Sequence, residues 1–192
     1  EDLTVFILPA GTADAGADQF ICENNATISL SGVIGGAATE GLWLSTGTGL
    51  FVPDNEGTDV TYVPSDDDIA NGSVTFTFEV NSCNQASDLM VVTFTPAPQV
   101  NAGTDITVCS SEISAPLGGL ISGANNTGVW TTNGSGSFSP NDQDLNAQYI
   151  FSSADVTNQI IEIYLTSTDV GNCIAVTDTL ILEIFPQGTV SV

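Results

Sequence analysis

The sequence predicts an all-β chain of two tandem antiparallel β-sandwich domains. Three observations predict it: segments in which apolar and polar residues alternate, turn-forming residues between them, and a second half that spells the first half again. DAGADQFIC at 14–22 returns as NAGTDITVC at 101–109.

At an offset of 87 residues (109 − 22), Cys22 meets Cys109, Leu30 meets Leu117, Ile34 meets Ile121 and Trp43 meets Trp130. GTGLFVP at 47–53 meets GSGSFSP at 134–140, Tyr62 meets Tyr149, and Asp68 meets Asp155. Beyond about residue 79 the offset becomes 90 (173 − 83), because TSTDVGNC at 166–173 is longer than its counterpart. Cys83 then meets Cys173, Asp88 meets Asp178 and Pro96 meets Pro186.

Each copy reads as β. Residues 27–31, 41–45 and 59–63, with their equivalents, supply short strands. SVTFTFEV at 73–80 places Val74, Phe76, Phe78 and Val80 on one face, and IIEIYLTS at 160–167 does the same with Ile161, Ile163 and Leu165. DLMVVTF at 88–94 and DTLILEIF at 178–185 read as last strands. Gly, Asn, Asp and Ser fill the gaps, SDDDIANG at 65–72 among them, and no segment sustains a helical period. About seven short strands in roughly 90 residues define a small antiparallel sandwich. The predicted domains are residues 10–97 and 98–187. EDLTVFILP at 1–9 matches both last strands and is expected to be the final strand of a preceding repeat; GTVSV at 188–192 is expected to open a following one.

The chain carries 23 acids and no Lys, Arg or His among its 192 residues, a net charge of −23. Without a cation it has no footprint for nucleic acid and no basic patch for anionic lipid. Without His it has no Ser-His-Asp triad and no histidine-based zinc site. No apolar run approaches the ~20 residues of a membrane span, so direct membrane insertion is not expected. Calcium is the natural candidate counter-ion, because oxygen ligands abound; no other cofactor is implied. The candidate calcium ligands are Asp18, Asp105 and the cluster Asp66, Asp67 and Asp68. For Asp18 and Asp105, within the repeated AGxD, a local turn bonded through the side chain ranks ahead of a metal. Gly16 and Gly103 are expected to adopt a backbone conformation that other residues avoid.

The series Cys22, Trp43, Cys83 is immunoglobulin-like, with one departure: the Tyr expected two residues before the second cysteine is replaced by Asn81, and by Gly171 in the second copy. Both tryptophans are expected in the core. Of the three pairings open to four cysteines, the repeat favours Cys22–Cys83 and Cys109–Cys173, closing loops of similar length (83 − 22 = 61 and 173 − 109 = 64).

AGxD, then Cys, then G-x-W, then GxGxF and Pro, then Tyr, then Cys and Asp before a last strand ending in Pro: in this order and twice over, the chain resembles the repeat unit of the giant gliding-motility adhesins of Bacteroidota, the SprB type. The resemblance covers both copies. It implies immunoglobulin-like or PKD-like repeats, type IX secretion, exposure on the outer cell surface, and an extended adhesive filament whose partners are its neighbouring repeats and an external surface or polysaccharide. It also implies an O-glycan at Thr179, in the D-T-L sequence 178–180, whose alternation turns Thr179 away from the face shared by Leu180, Leu182 and Ile184.

The leading reading is a non-catalytic adhesive stalk. A second is a carbohydrate-binding or calcium-dependent recognition module that uses the loops at 38–41 and 65–72. The third is an acid glycosidase, whose two carboxylates need no base; no pair of acids stands out in the sequence.

Overall fold

The computed structural model describes residues 7–82 and 85–186. The chain divides into two compact units, Glu1–Thr95 and Pro96–Val192. Residues 1–6 and 187–192, which carry most of the expected flanking strand and all of the expected next repeat, lie outside the described residues; residues 7–9 form no strand.

The first unit contains β1 (Thr12–Asp14), β2 (Gln19–Cys22), β3 (Ile28–Ser31), β4 (Val33–Gly35), β5 (Gly41–Ser45), β6 (Leu50–Val52), β7 (Asp59–Val63), the short helix α1 (Asp66–Asn71), β8 (Ser73–Val80) and β9 (Ala86–Thr95). One sheet has the order β2-β9-β8-β5 and the other β3-β7-β6, with β1 paired to β4. The break between β3 and β4 falls at Gly32, where a Cβ would meet the Phe78 ring at 2.5 Å. With β3 and β4 taken as one strand, the order is A-B-E-D against C-F-G, the immunoglobulin arrangement. β2 is added beside β9, and this pairing is parallel, with Cys22 opposite Thr95.

The second unit repeats the plan with β10 (Gln99–Asn101), β11 (Ile106–Cys109), β12 (Ser114–Pro116), β13 (Leu120–Ser122), β14 (Gly128–Thr132), β15 (Ser137–Ser139), β16 (Gln148–Ile150), α2 (Ser153–Asn158), β17 (Ile160–Ser167) and β18 (Thr177–Phe185). Its sheets are β11-β18-β17-β14 and β12-β16-β15, with β10 paired to β13. Both units are thus immunoglobulin-like β-sandwiches, as the sequence predicts.

Alternation becomes burial. Val74, Phe76, Phe78 and Val80 enter the first core with Met90, Val92 and Phe94; Ile161, Ile163 and Leu165 enter the second with Leu180, Leu182 and Ile184. Trp43 and Trp130 are buried as expected, and each indole N–H finds a carbonyl, Thr58 at 3.2 Å and Asp144 at 3.1 Å. Residues 66–71 depart from their reading as an open turn and are helical, and the equivalent residues 153–158 are helical too. Ser65 and Asp68 form a reciprocal capping box, which starts a six-residue helix too short to show an apolar period.

Candidate functional site

Two polar assemblies recur in both units, and both are built from the repeated residues. The first is a buried aspartate–tyrosine hub. β7 delivers Tyr62, α1 delivers Asp68, and the GTG turn between β5 and β6 delivers backbone amides. Asp68 Oδ1 accepts from Thr48 N (2.8 Å), and Oδ2 accepts from Tyr62 Oη (2.8 Å), Gly49 N (2.9 Å) and Ser65 N (3.1 Å). In the second unit Asp155 accepts from Ser135 N (2.9 Å), Tyr149 Oη (3.0 Å) and Ser152 N (2.9 Å), while Gly136 N donates to Tyr149 Oη (2.9 Å). The hub explains the glycines of the GxG turn: a Cβ at Gly47 would stand 2.5 Å from Tyr62 Oη, and one at Gly134 would stand 2.4 Å from Tyr149 Oη.

Burial by itself would raise the pKa of either aspartate, but the donors around each prevail and hold it below the ordinary carboxylate value. Burial first, and then the adjacent carboxylate, raise Tyr62 and Tyr149. Each hub therefore favours the ionised carboxylate, whose oxygens accept from the protein's own donors. These bonds fasten a strand, a helix and a turn to one another, which is a structural role.

The second assembly fastens the start of each unit to its last strand. Asp88 Oδ2 accepts from Ala15 N (2.9 Å) and Asp18 Oδ1 from Val91 N (2.8 Å). Asp178 Oδ2 accepts from Ala102 N (2.8 Å) and Asp105 Oδ1 from Ile181 N (2.9 Å). Gly16 and Gly103 reverse the chain here at φ of +83° and +98°, the conformation expected for them. The local turn expected of Asp18 and Asp105 is made instead by Asp14 and Asn101, whose side chains accept from Gly16 N and Gly103 N, both at 2.8 Å. Asp18 and Asp105 reach across to a strand more than seventy residues away in sequence.

The expected calcium cluster does not assemble as one group. Asp66 and Asp67 are exposed on α1, while Asp68 turns inward to the hub at 2% exposure. Among the described residues no three acidic or thiol side chains converge on a common point.

The cysteine pairing needs correction. Cys109 is a free, exposed thiol, whereas Cys173 is disulfide-bonded, so Cys109–Cys173 does not form. The register shows why. Cys109 stands opposite Phe185, at one end of β18. Cys173 lies in the turn that precedes Thr177, at the other end. From Thr177 to Phe185 is eight steps of about 3.3 Å, or roughly 26 Å, against the ~6 Å between Cα atoms that a disulfide spans. Cys22 is disulfide-bonded and fully buried; its expected partner Cys83 lies outside the described residues.

Thr179 is exposed on β18 beside buried Leu180. The loop at 38–41 borders an open groove of about 960 Å³, lined in part by Ile34, Thr39, Glu40, Leu42, Glu56 and Glu79. The other candidate loop, 65–72, does not reach it.

No protein-family profile matches the chain, and no curated protein matches it significantly. Among solved structures it is similar to immunoglobulin domains 1–4 of Sidekick-1, at 12% identity and a TM-score of 0.48, over 95% of this chain and 51% of that one. It is similar to the insect immune protein hemolin at 11% identity and a TM-score of 0.44, over 91% of this chain and 46% of that one. It is similar to human protocadherin-24 EC1-2 at 11% identity and a TM-score of 0.46, over 95% and 99%. The chain spans about half the length of the first two. The sheet order described above, rather than these likenesses, defines the class: two tandem immunoglobulin-like domains.

Proposed function

We propose that this chain is a non-catalytic stretch of tandem repeats from a large SprB-type bacterial surface adhesin, serving as a stalk that carries tension between the cell and an external surface during attachment and gliding. One observation carries the reading. The polar residues that both units share, Asp18/Asp105, Asp68/Asp155 and Asp88/Asp178, are all engaged with the protein's own backbone. What the repeat preserves is a fold that holds its ends, and a stalk needs that and nothing more. The uniform negative charge keeps neighbouring stalks apart in solution. Export by the type IX system, the outer cell surface and the sugar at Thr179 follow from the resemblance and belong to this proposal. Single-molecule pulling tests it: one abrupt unfolding event per repeat is expected, and a continuous soft extension would overturn it.

A second reading rests on the groove beside residues 38–41, whose three glutamates could recognise a glycan directly or through calcium. A glycan array run with calcium and with chelator separates the two readings, since a spacer repeat gives no signal in either.

A further inference from the structure

Cysteines sit at opposite ends of the second sandwich. Cys109 ends β11 beside Phe185, where the chain leaves the unit. Cys173 sits at the entry end, with its sulfur 3.9 Å from the Pro96 carbonyl oxygen. The sheet register separates them by far more than a disulfide can span, as shown above. The entry-end cysteine is oxidised and the exit-end cysteine is free.

A lone exposed thiol says little, but Cys109 has a counterpart. Cys22 ends β2 opposite Thr95, as Cys109 ends β11 opposite Phe185, and both pairings are parallel. Cys22 is disulfide-bonded and wholly buried. The exit-end position is therefore one that forms a disulfide in this fold. In the second unit its own sheet holds the other cysteine out of reach.

We infer that Cys109 is half of an inter-repeat disulfide, and that its partner is an entry-end cysteine of the Cys173 kind on a repeat joined after residue 186. This rests on the tandem-array reading above. Within the second unit Cys109 lies beside Phe185, where the chain leaves, and Cys173 beside Pro96, where it enters, so a bond from Cys109 to the entry-end cysteine of a following repeat would close only a short stretch of chain between the two units. The consequence is mechanical. A covalent bond across each junction would bypass the linker, so that tension passes from sheet to sheet.

The chemistry is thiol–disulfide exchange with a low-molecular-weight disulfide such as oxidised glutathione. The Cys109 thiolate attacks one sulfur of the reagent and expels one thiolate. The partner's thiolate then attacks the Cys109 sulfur and expels the second. Two protein thiols are oxidised, one reagent disulfide is reduced to two thiols, and the two protons pass to the departing thiolates.

The test uses the full chain lengthened by repeating residues 97–186 directly after Pro186, with Val108→Ile and Ile174→Val in the added copy alone so that its cysteine peptides differ in mass from the originals. It is folded in a glutathione redox buffer, alkylated, and digested without reduction by a protease that cuts beside acids, since the chain has no Lys or Arg. Mass spectrometry is expected to find Cys109 joined to the added copy of Cys173, and the added copy of Cys109 alkylated. The Cys109→Ser variant should leave the added entry-end cysteine open to alkylation, with no change in tryptophan fluorescence. Full alkylation of Cys109 while the added repeat's tryptophan reports a folded core would overturn the inference and leave the stalk reading intact. So would a Cys109 bond between two separate chains, seen as a dimer that reduction splits.

Discussion

The two repeats hold the same polar skeleton around different cores. In the first, aromatic rings do much of the filling: Trp43 and Phe78 pack with centroids 4.6 Å apart, and Tyr62 meets Phe76 at 4.9 Å. In the second, Phe76, Phe78, Met90 and Phe94 are replaced by Ile163, Leu165, Leu180 and Ile184, yet Trp130, Tyr149 and Asp155 stand where Trp43, Tyr62 and Asp68 do. Hydrophobic filling tolerates exchange so long as volume and alternation are kept. A buried carboxylate with three or more donors tolerates none, because each lost acceptor strands a donor. The hub and the tryptophan therefore specify this fold, and the strand interiors supply bulk.

The largest effect should come from removing a hub. Asp68→Ala or Asp155→Ala strands several buried donors and is expected to cost about 3–5 kcal/mol, enough to unfold the affected repeat alone. Each unit holds one tryptophan, so Trp43→Phe and Trp130→Phe backgrounds let fluorescence follow one repeat at a time. A loss below about 1 kcal/mol in denaturant titration would remove the hub from its place in the comparison. The same hub predicts an acid limit. Both aspartates have folded pKa values below the ordinary one, so their stabilisation is complete above the ordinary carboxylate value and is lost as the pH falls through the folded value. Unfolding midpoints should decline in that acid range, and the Asp68→Ala repeat should decline less steeply than its partner.

Next in size is the glycine turn. Gly47→Ala and Gly134→Ala place a methyl group against a phenol oxygen and a carboxylate, and the packed hub has little room to yield. A cost of about 1–3 kcal/mol is expected in either repeat. Equal losses would confirm that the two hubs are equivalent. An unequal pair would mean that the differing cores feed back on them.

The core exchange is expected to be milder. Phe78→Leu gives the first repeat the residue that the second already uses, leaving a void beside Trp43, and should cost about 1–2 kcal/mol. The reverse change, Leu165→Phe, must fit a ring against Gly119 and Trp130, since even a Cβ at Gly119 would lie 2.6 Å from Leu165. If both changes proved neutral, the cores would be interchangeable in every detail.

Much of this was legible in the sequence because it was local or repeated. Period-2 alternation at 73–80 and 160–167 named the inward residues directly. Trp43 and Trp130 were read correctly as core because large aromatics seldom sit elsewhere. Three things were hidden for physical reasons. α1 is a six-residue helix set by a capping box, with too few residues to show a period. The expected cysteine pairing follows from giving each repeat its own pair, a rule blind to the end of the sheet at which Cys109 and Cys173 sit. Asp68 looked like one of three surface acids, and only the fold turns it inward; the signal that could have found it is its recurrence as Asp155 beside a recurring tyrosine.

The smallest expected effect concerns the residue that raised the question of metal or turn, Asp18, with its twin Asp105. Each accepts one backbone amide from a strand interior and is otherwise at the surface. Asp18→Asn keeps the acceptor oxygen and removes the charge, so it should cost under about 1 kcal/mol; Asp18→Ala removes the acceptor too and should cost about 1–1.5 kcal/mol. If the carboxylate serves Val91 N alone, these losses will be the same in millimolar calcium and in chelator. Calcium-dependent melting that disappears in Asp18→Asn would instead give the residue a metal. The twin sharpens the result. Asp105 accepts from Ile181 N at 2.9 Å, against 2.8 Å for Asp18 and Val91, so a strand anchor predicts matching losses in both repeats. A metal confined to one repeat would split them.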